Sequence, residues 1–162
     1  MHRRAVFLSA LVTLLLGAVP ALADVFTYPA AKVRFTTPVR WGSKITDTGM
    51  VTFDPGNDTA VAFTAVDDGA VGQASNMVGR RLASMIDHVK VTKEERLTIN
   101  GMPAVAIAGD GRRKGVDIDW AVIVVNTPSP TNDLMAVAIA EDAKLAAHRG
   151  EINAIFASIT PM

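Results

Sequence analysis

The sequence has no cysteine. That excludes disulfides, thiolate metal sites, a cysteine nucleophile and an acylated lipoprotein anchor. It also lacks an excess of either charge, because 16 Lys and Arg stand against 16 Asp and Glu in 162 residues. A balanced chain does not carry the basic footprint of a nucleic-acid binder. Histidine is scarce, at three residues, and aromatics make up only 6%. What remains is 49% hydrophobic and 20% charged, an ordinary globular composition in a length that fits one domain.

Long apolar runs are missing too, except at the start. Residues 1–23 read as a secretory signal peptide: His2, Arg3 and Arg4 precede an apolar stretch over residues 5–19, and Pro20 ends it. Ala21-Leu22-Ala23 has the small-x-small form that signal peptidase accepts, which predicts cleavage before Asp24. The apolar stretch is shorter than the roughly 20 residues that span a bilayer, so no stable membrane anchor is expected after cleavage. Residues 24–162 then form a single exported domain with a net charge of −2, periplasmic in a Gram-negative cell. Six of the ten leucines leave with the signal, and the remainder holds 16 Val and 10 Ile but 4 Leu. β-Branched residues suit a pleated, half-buried surface.

Alternation predicts a strand over residues 32–37, closed by Pro38, with Trp41-Gly42 in a loop. Residues 49–54 and 59–66 flank Pro55-Gly56-Asn57-Asp58 and predict a hairpin. Between residues 73 and 89 the period changes, and Ala74, Met77, Val78, Leu82, Met85, Ile86 and Val89 make one helical stripe. Gly79 within it suggests close packing on a sheet. A charged strand over residues 91–99 suits an edge, and Asn100-Gly101 is the typical two-residue hairpin turn. Residues 102–108 are apolar on both faces, 109–115 read as a polar turn, and 116–125 and 134–140 are further strands. Residues 142–159 are predicted helical, with Gly150 a point of kinking or splitting. The order is three strands, a helix, four strands and a helix. That is an α+β fold with a mainly antiparallel sheet of six or seven strands flanked by helices.

Chemistry-bearing residues are few. His88 is expected at a helix end, and His148 at the edge of an apolar stripe; neither has metal-ligand spacing. With no cysteine and two separated histidines after the signal, zinc is not expected. No nucleophile elbow, phosphate loop or dinucleotide fingerprint is present. The acid-rich turns Asp54/Asn57/Asp58 and Asp67/Asp68 offer oxygen ligands that suit calcium, but without EF-hand spacing they read as turn-forming aspartates. Arg112, Arg113 and Lys114 form the most one-sided charge cluster. They are either a partner surface or a solvated hairpin tip offset by Asp110, Asp117 and Asp119. Trp120 is expected in the core. Trp41, in its loop, either rims a pocket or plugs the end of the sheet. It joins the arginine cluster as a candidate partner surface.

The order of elements resembles the Mog1/PsbP-like fold, including small bacterial secreted proteins of the DUF1795 type. The matching residues are Val33-Arg34-Phe35-Thr36-Thr37-Pro38 with Trp41, Phe53-Asp54-Pro55, Ile99-Asn100-Gly101-Met102-Pro103-Ala104, and Ile152 to Pro161, ending Ser158-Ile159-Thr160-Pro161. The resemblance implies an antiparallel sheet flanked by helices. It also implies a non-enzymatic accessory or binding role: one branch of that fold assists a small GTPase and another supports photosystem II. The matched positions are structural, so no catalytic residue and no cofactor carry over. The expected function is a secreted accessory or binding protein whose partner is an envelope protein or a small ligand. The alternatives are a hydrolase or other enzyme with an unrecognised site, favoured by a pocket holding a strained polar pair around His148, and a small-ligand or calcium binder.

Overall fold

The computed structural model describes residues 23–162 apart from Pro55 and Asn57. The expected signal segment lies outside the described residues except for Ala23. A main sheet of seven strands holds the chain together. In spatial order its strands are β3 (Gly42–Thr46), β4 (Gly49–Phe53), β5 (Ala60–Asp67), β9 (Asn132–Glu141), β8 (Val116–Val125), β7 (Met102–Arg113) and β6 (Asp87–Ile99). Every pairing in it is antiparallel. A small second sheet pairs β1 (Ala23–Tyr28) and β10 (Thr160–Pro161) with the two edges of β2 (Val33–Pro38). Among the described residues the α-helices are α1 (Ala74–Leu82), α2 (Asp142–Ala147) and α3 (Arg149–Ala157).

Both faces of the main sheet are covered, which is why its central strands are apolar on both sides. On one face α2, α3 and the small sheet pack over Ala104, Ile123, Ala136, Ala138 and Ala140. The alanines leave room for the cover to sit close. Phe35 of the small sheet stacks on Phe63 of the main one, with ring centroids 3.9 Å apart. The other face packs Val78 and Leu82 of α1 against Ile107, Trp120 and Val122. Trp120 is 1% exposed and is core as expected. The charged strand β6 takes the edge expected for it.

Several local expectations need correction. The first helix ends at Leu82, so His88 lies in strand β6 rather than at a helix terminus. Ile86 still reaches the core, at 3% exposure, but from a turn closed by the amides of Met85 and Ile86 on the Leu82 carbonyl. Pairing of Asp87 with Arg112 then draws the following residues into the sheet. Second, residues 109–113 are strand, and the turn is only Lys114-Gly115, with φ values of 51° and 80°. Gly109 and Gly111 are clearance rather than turn signals: a Cβ on Gly109 would lie 2.3 Å from the Trp120 ring, and one on Gly111 2.5 Å from Ile86. Third, Gly79 does not mark close packing, because a Cβ there would meet nothing within 4 Å. The last helical segment splits at His148, two residues before the suggested Gly150. Strands β1, β3 and β10 were not foreseen at all.

Candidate functional site

Two places in the fold gather polar groups. The first is a groove of about 410 Å³ between strands β7–β8 and helices α2–α3. The register Ala106↔Ile123, Ala108↔Ala121, Asp110↔Asp119 and Arg112↔Asp117 sets four cross-strand pairs along one face. The floor therefore grades from apolar at Ala106 to charged at Arg112. Leu145, Ile152 and Phe156 supply an apolar wall, and Asp142, Arg149 and Asn153 supply polar groups. At the charged end Arg112 Nε meets Asp117 Oδ1 at 3.0 Å, an exposed pair, and an Arg112 Nη donates to the Gly115 carbonyl. His88 and Thr92 of β6 close the groove on the far side.

The second is a cluster at the end of β4 and the α2–α3 junction. Pairing of Ala60 with Ile139 sets the turn that holds Asp54, Asp58 and Thr59 beside the end of β9, and α2 follows directly. His148, between the two helices, then faces that turn. Its Nε2 lies 3.6 Å from Asp54 Oδ2 and 3.5 Å from Asp58 Oδ1, and its Nδ1 lies 3.2 Å from Glu151 Oε1. Asp54 is 4% exposed and closes its own turn: its Oδ1 accepts from the amides of Asp58 and Thr59, and its Oδ2 from Gly56. Burial pushes the Asp54 carboxyl up, but the amides of Thr59, Gly56 and Asp58 and the charge of His148 outweigh it, and its pKa is lowered. Glu151 behaves alike: burial raises it, while Arg40, His148 and Trp41 together lower it. Trp41 Nε1 donates to Glu151 Oε2 at 2.8 Å, Arg40 pairs with the same oxygen, and the indole meets the His148 ring edge-on.

The sequence candidates are thus divided. Arg112 lines the groove, whereas Arg113 and Lys114 stand exposed beyond it and Trp41 lies elsewhere. Trp41 is 3% exposed and plugs the end of the fold instead of rimming the groove. Asp54 and Asp58 do come together with His148, and Asn57 lies outside the described residues. The link from these aspartates to His148 was not legible, because it depends on the β5–β9 register. The His148–Glu151 pair, three residues apart on one helical face, was the one local signal. The groove was missed because its floor looked like a turn.

No protein-family model matches the sequence, and no curated protein matches it. Solved structures do match in fold. The cyanobacterial PsbP of Synechocystis superposes with a TM-score of 0.67 at 8% identity, covering 91% of this chain and 99% of its own. LpqN of Mycobacterium tuberculosis, described as involved in cell envelope biogenesis, gives 0.60 at 15% identity, with 86% and 90% covered. The Ran-binding protein Mog1p of Saccharomyces cerevisiae gives 0.57 at 7% identity, with 85% and 94% covered. The chain has the Mog1/PsbP-like fold. The finer likeness to DUF1795-type proteins rests on the residue pattern alone.

Proposed function

We propose that the chain is an exported, non-enzymatic binding protein of the cell envelope that holds a small amphipathic ligand in the groove between β7–β8 and α2–α3. The observation that carries this is the groove itself. Its volume of about 410 Å³ lies in the range of small-molecule sites, roughly 300–1,000 Å³. Its floor runs from alanine to Asp110, Asp119, Arg112 and Asp117, so it offers one end to an apolar body and the other to a polar head. A hydrolase would be favoured by His148 opening on this groove, and His148 does not line it. Two further points support an envelope location: the signal-like residues 1–23, and a fold shared with a protein of cell envelope biogenesis. Among the described residues no helix is long and apolar enough to cross a membrane.

Native mass spectrometry of the protein isolated from its own envelope extract tests the reading. A co-purifying small molecule is expected, and it should be absent from Ala121→Trp, which fills the floor. A bound protein partner retained by Ala121→Trp would overturn the groove as the site. N-terminal sequencing of the same material should start at Asp24, and a start at Met1 would refute export by cleavage.

A further inference from the structure

The cluster around His148 takes no part in the groove, and its geometry suits a different ligand. We propose that Asp54, Asp58 and His148 form a binding site for one divalent transition-metal ion of the zinc class, with Glu151 as the outer partner that orients His148. One donor atom from each of the three residues lies within 4.8 Å of the other two. The Nε2 separations of 3.5 and 3.6 Å are long for hydrogen bonds, which centre near 2.9 Å. They are close to the ~3.4 Å between two ligands that each stand ~2.1 Å from a tetrahedral ion.

The surroundings prepare the three atoms for that role. Glu151 accepts at Nδ1 of His148, which turns Nε2 toward the aspartates. Glu151 is itself held by Trp41 and Arg40. Asp54 is fixed by three amides, so its carboxylate does not have to be ordered by the ion. Asp58 and His148 keep part of their surface, 31% and 21% of the side chain, and give a path from solvent. Two carboxylates match a 2+ charge, and an imidazole selects zinc, nickel or copper over calcium, which takes six to eight oxygens. The aspartates read from sequence as turn-forming, with calcium as the alternative and zinc not expected; the addition of His148 to them favours a nitrogen-preferring ion instead. Lys144 Nζ lies 3.9 Å from Asp58 Oδ2 and is 42% exposed. A surface pair of that kind yields readily. The rival occupant of the same space is a proton on Nε2, making His148 an imidazolium between carboxylates.

Calorimetry of the chelator-treated protein with zinc chloride, and separately with calcium chloride, decides between them. One zinc per chain is expected, with Kd of about 10 µM or tighter, and weaker binding of calcium. His148→Ala and Asp58→Asn should each weaken zinc binding at least about 100-fold, and Glu151→Gln about 10–100-fold. Asp58 is part-exposed, so Asp58→Asn keeps the fold, with circular dichroism as the check. Nitrogen-15 spectra of His148 should show the Nε2 signal shifting on zinc addition while Nδ1 stays in contact with Glu151. Zinc affinity weaker than about 1 mM, zinc binding that survives both ligand variants, tighter binding of calcium, or a His148 Nε2 signal that zinc does not change would each overturn the site.

Discussion

Trp41 and Glu151 are joined by a 2.8 Å hydrogen bond between the indole N–H and a carboxylate oxygen, across 110 positions of sequence. This bond ties the segment after β2 to helix α3 and leaves Glu151's other oxygen for His148. Trp41→Phe keeps most of the buried ring but removes the donor. It should cost about 1.5–3 kcal/mol, the range for a hydrogen bond to a charged group. Trp41→Ala adds a cavity and should cost about 3–5 kcal/mol. Urea unfolding of both variants checks the order. A Trp41→Phe protein as stable as wild type would mean that the hydrogen bond contributes nothing beyond packing.

The acid limb of stability should follow Asp54 and Glu151. Both have folded-state pKa values below their ordinary 3.8 and 4.5. Their contribution is therefore full above those ordinary values and is lost as pH falls through the folded ones. Asp133 has the opposite sign. It is 0% exposed, and burial raises its carboxyl against the opposing amides of Thr127, Val71 and Ala70, with Asp68 adding to the rise. Its contribution is full below 3.8 and is lost as pH rises through its folded value. Unfolding measured from pH 3 to pH 7 should show a flatter acid limb in Asp54→Asn. Asp133→Asn should gain stability relative to wild type as pH rises. Parallel curves for all three proteins would refute the assignment.

Two glycines should respond to alanine with opposite signs. A Cβ on Gly109 would fall 2.0 Å from the Lys90 carbonyl oxygen and 2.3 Å from the Trp120 ring. The clash is with backbone and a buried indole, so Gly109→Ala should destabilise by about 1–3 kcal/mol or more. Gly79 lies inside α1 with open space around it, and Gly79→Ala should stabilise by about 0.5–1 kcal/mol through helix propensity and a less free unfolded chain. Thermal melts of the two variants, shifting in opposite directions, are the expected outcome. A Gly109→Ala protein as stable as wild type would mean that Trp120 has room to move.

The pair of glycines also shows where reading the sequence succeeds and where it stops. Asn100-Gly101 was legible because a two-residue hairpin turn needs positive φ at both positions, and they stand at 46° and 84°. The alternation of β2 was legible because its two faces differ in burial, Val33, Phe35 and Thr37 being buried. Gly109 and Gly111 were misread because the need for a missing Cβ comes from Trp120 and Ile86, and no local pattern shows who the neighbour is. Strand β10 is two residues long, and β3 has no buried residue, so neither carries an apolar period. The His148 cluster belongs with these. Its acids were visible as a turn and its histidine as a helix residue, but only the sheet register joins them.

The division of Arg112 from Arg113 and Lys114 gives a last expectation, one that separates the groove from the exposed hairpin tip. Arg112 lines the groove and pairs with Asp117 on its floor, whereas Arg113 and Lys114 are exposed at the turn beyond. Removing both outer charges, as Arg113→Ser with Lys114→Ser, should leave the ligand recovered from envelope extract unchanged, because exposed charges contribute little beyond a screened field. Arg112→Ala should reduce its retention, because it removes the Arg112–Asp117 pair at the charged end. The measurement is the fraction of protein carrying the co-purified molecule in native mass spectra of the three proteins. If the double variant loses the ligand while Arg112→Ala keeps it, recognition lies at the hairpin tip and the cluster acts as an outward-facing partner surface. The groove would then be only the gap left where α2 and α3 stop covering β7 and β8.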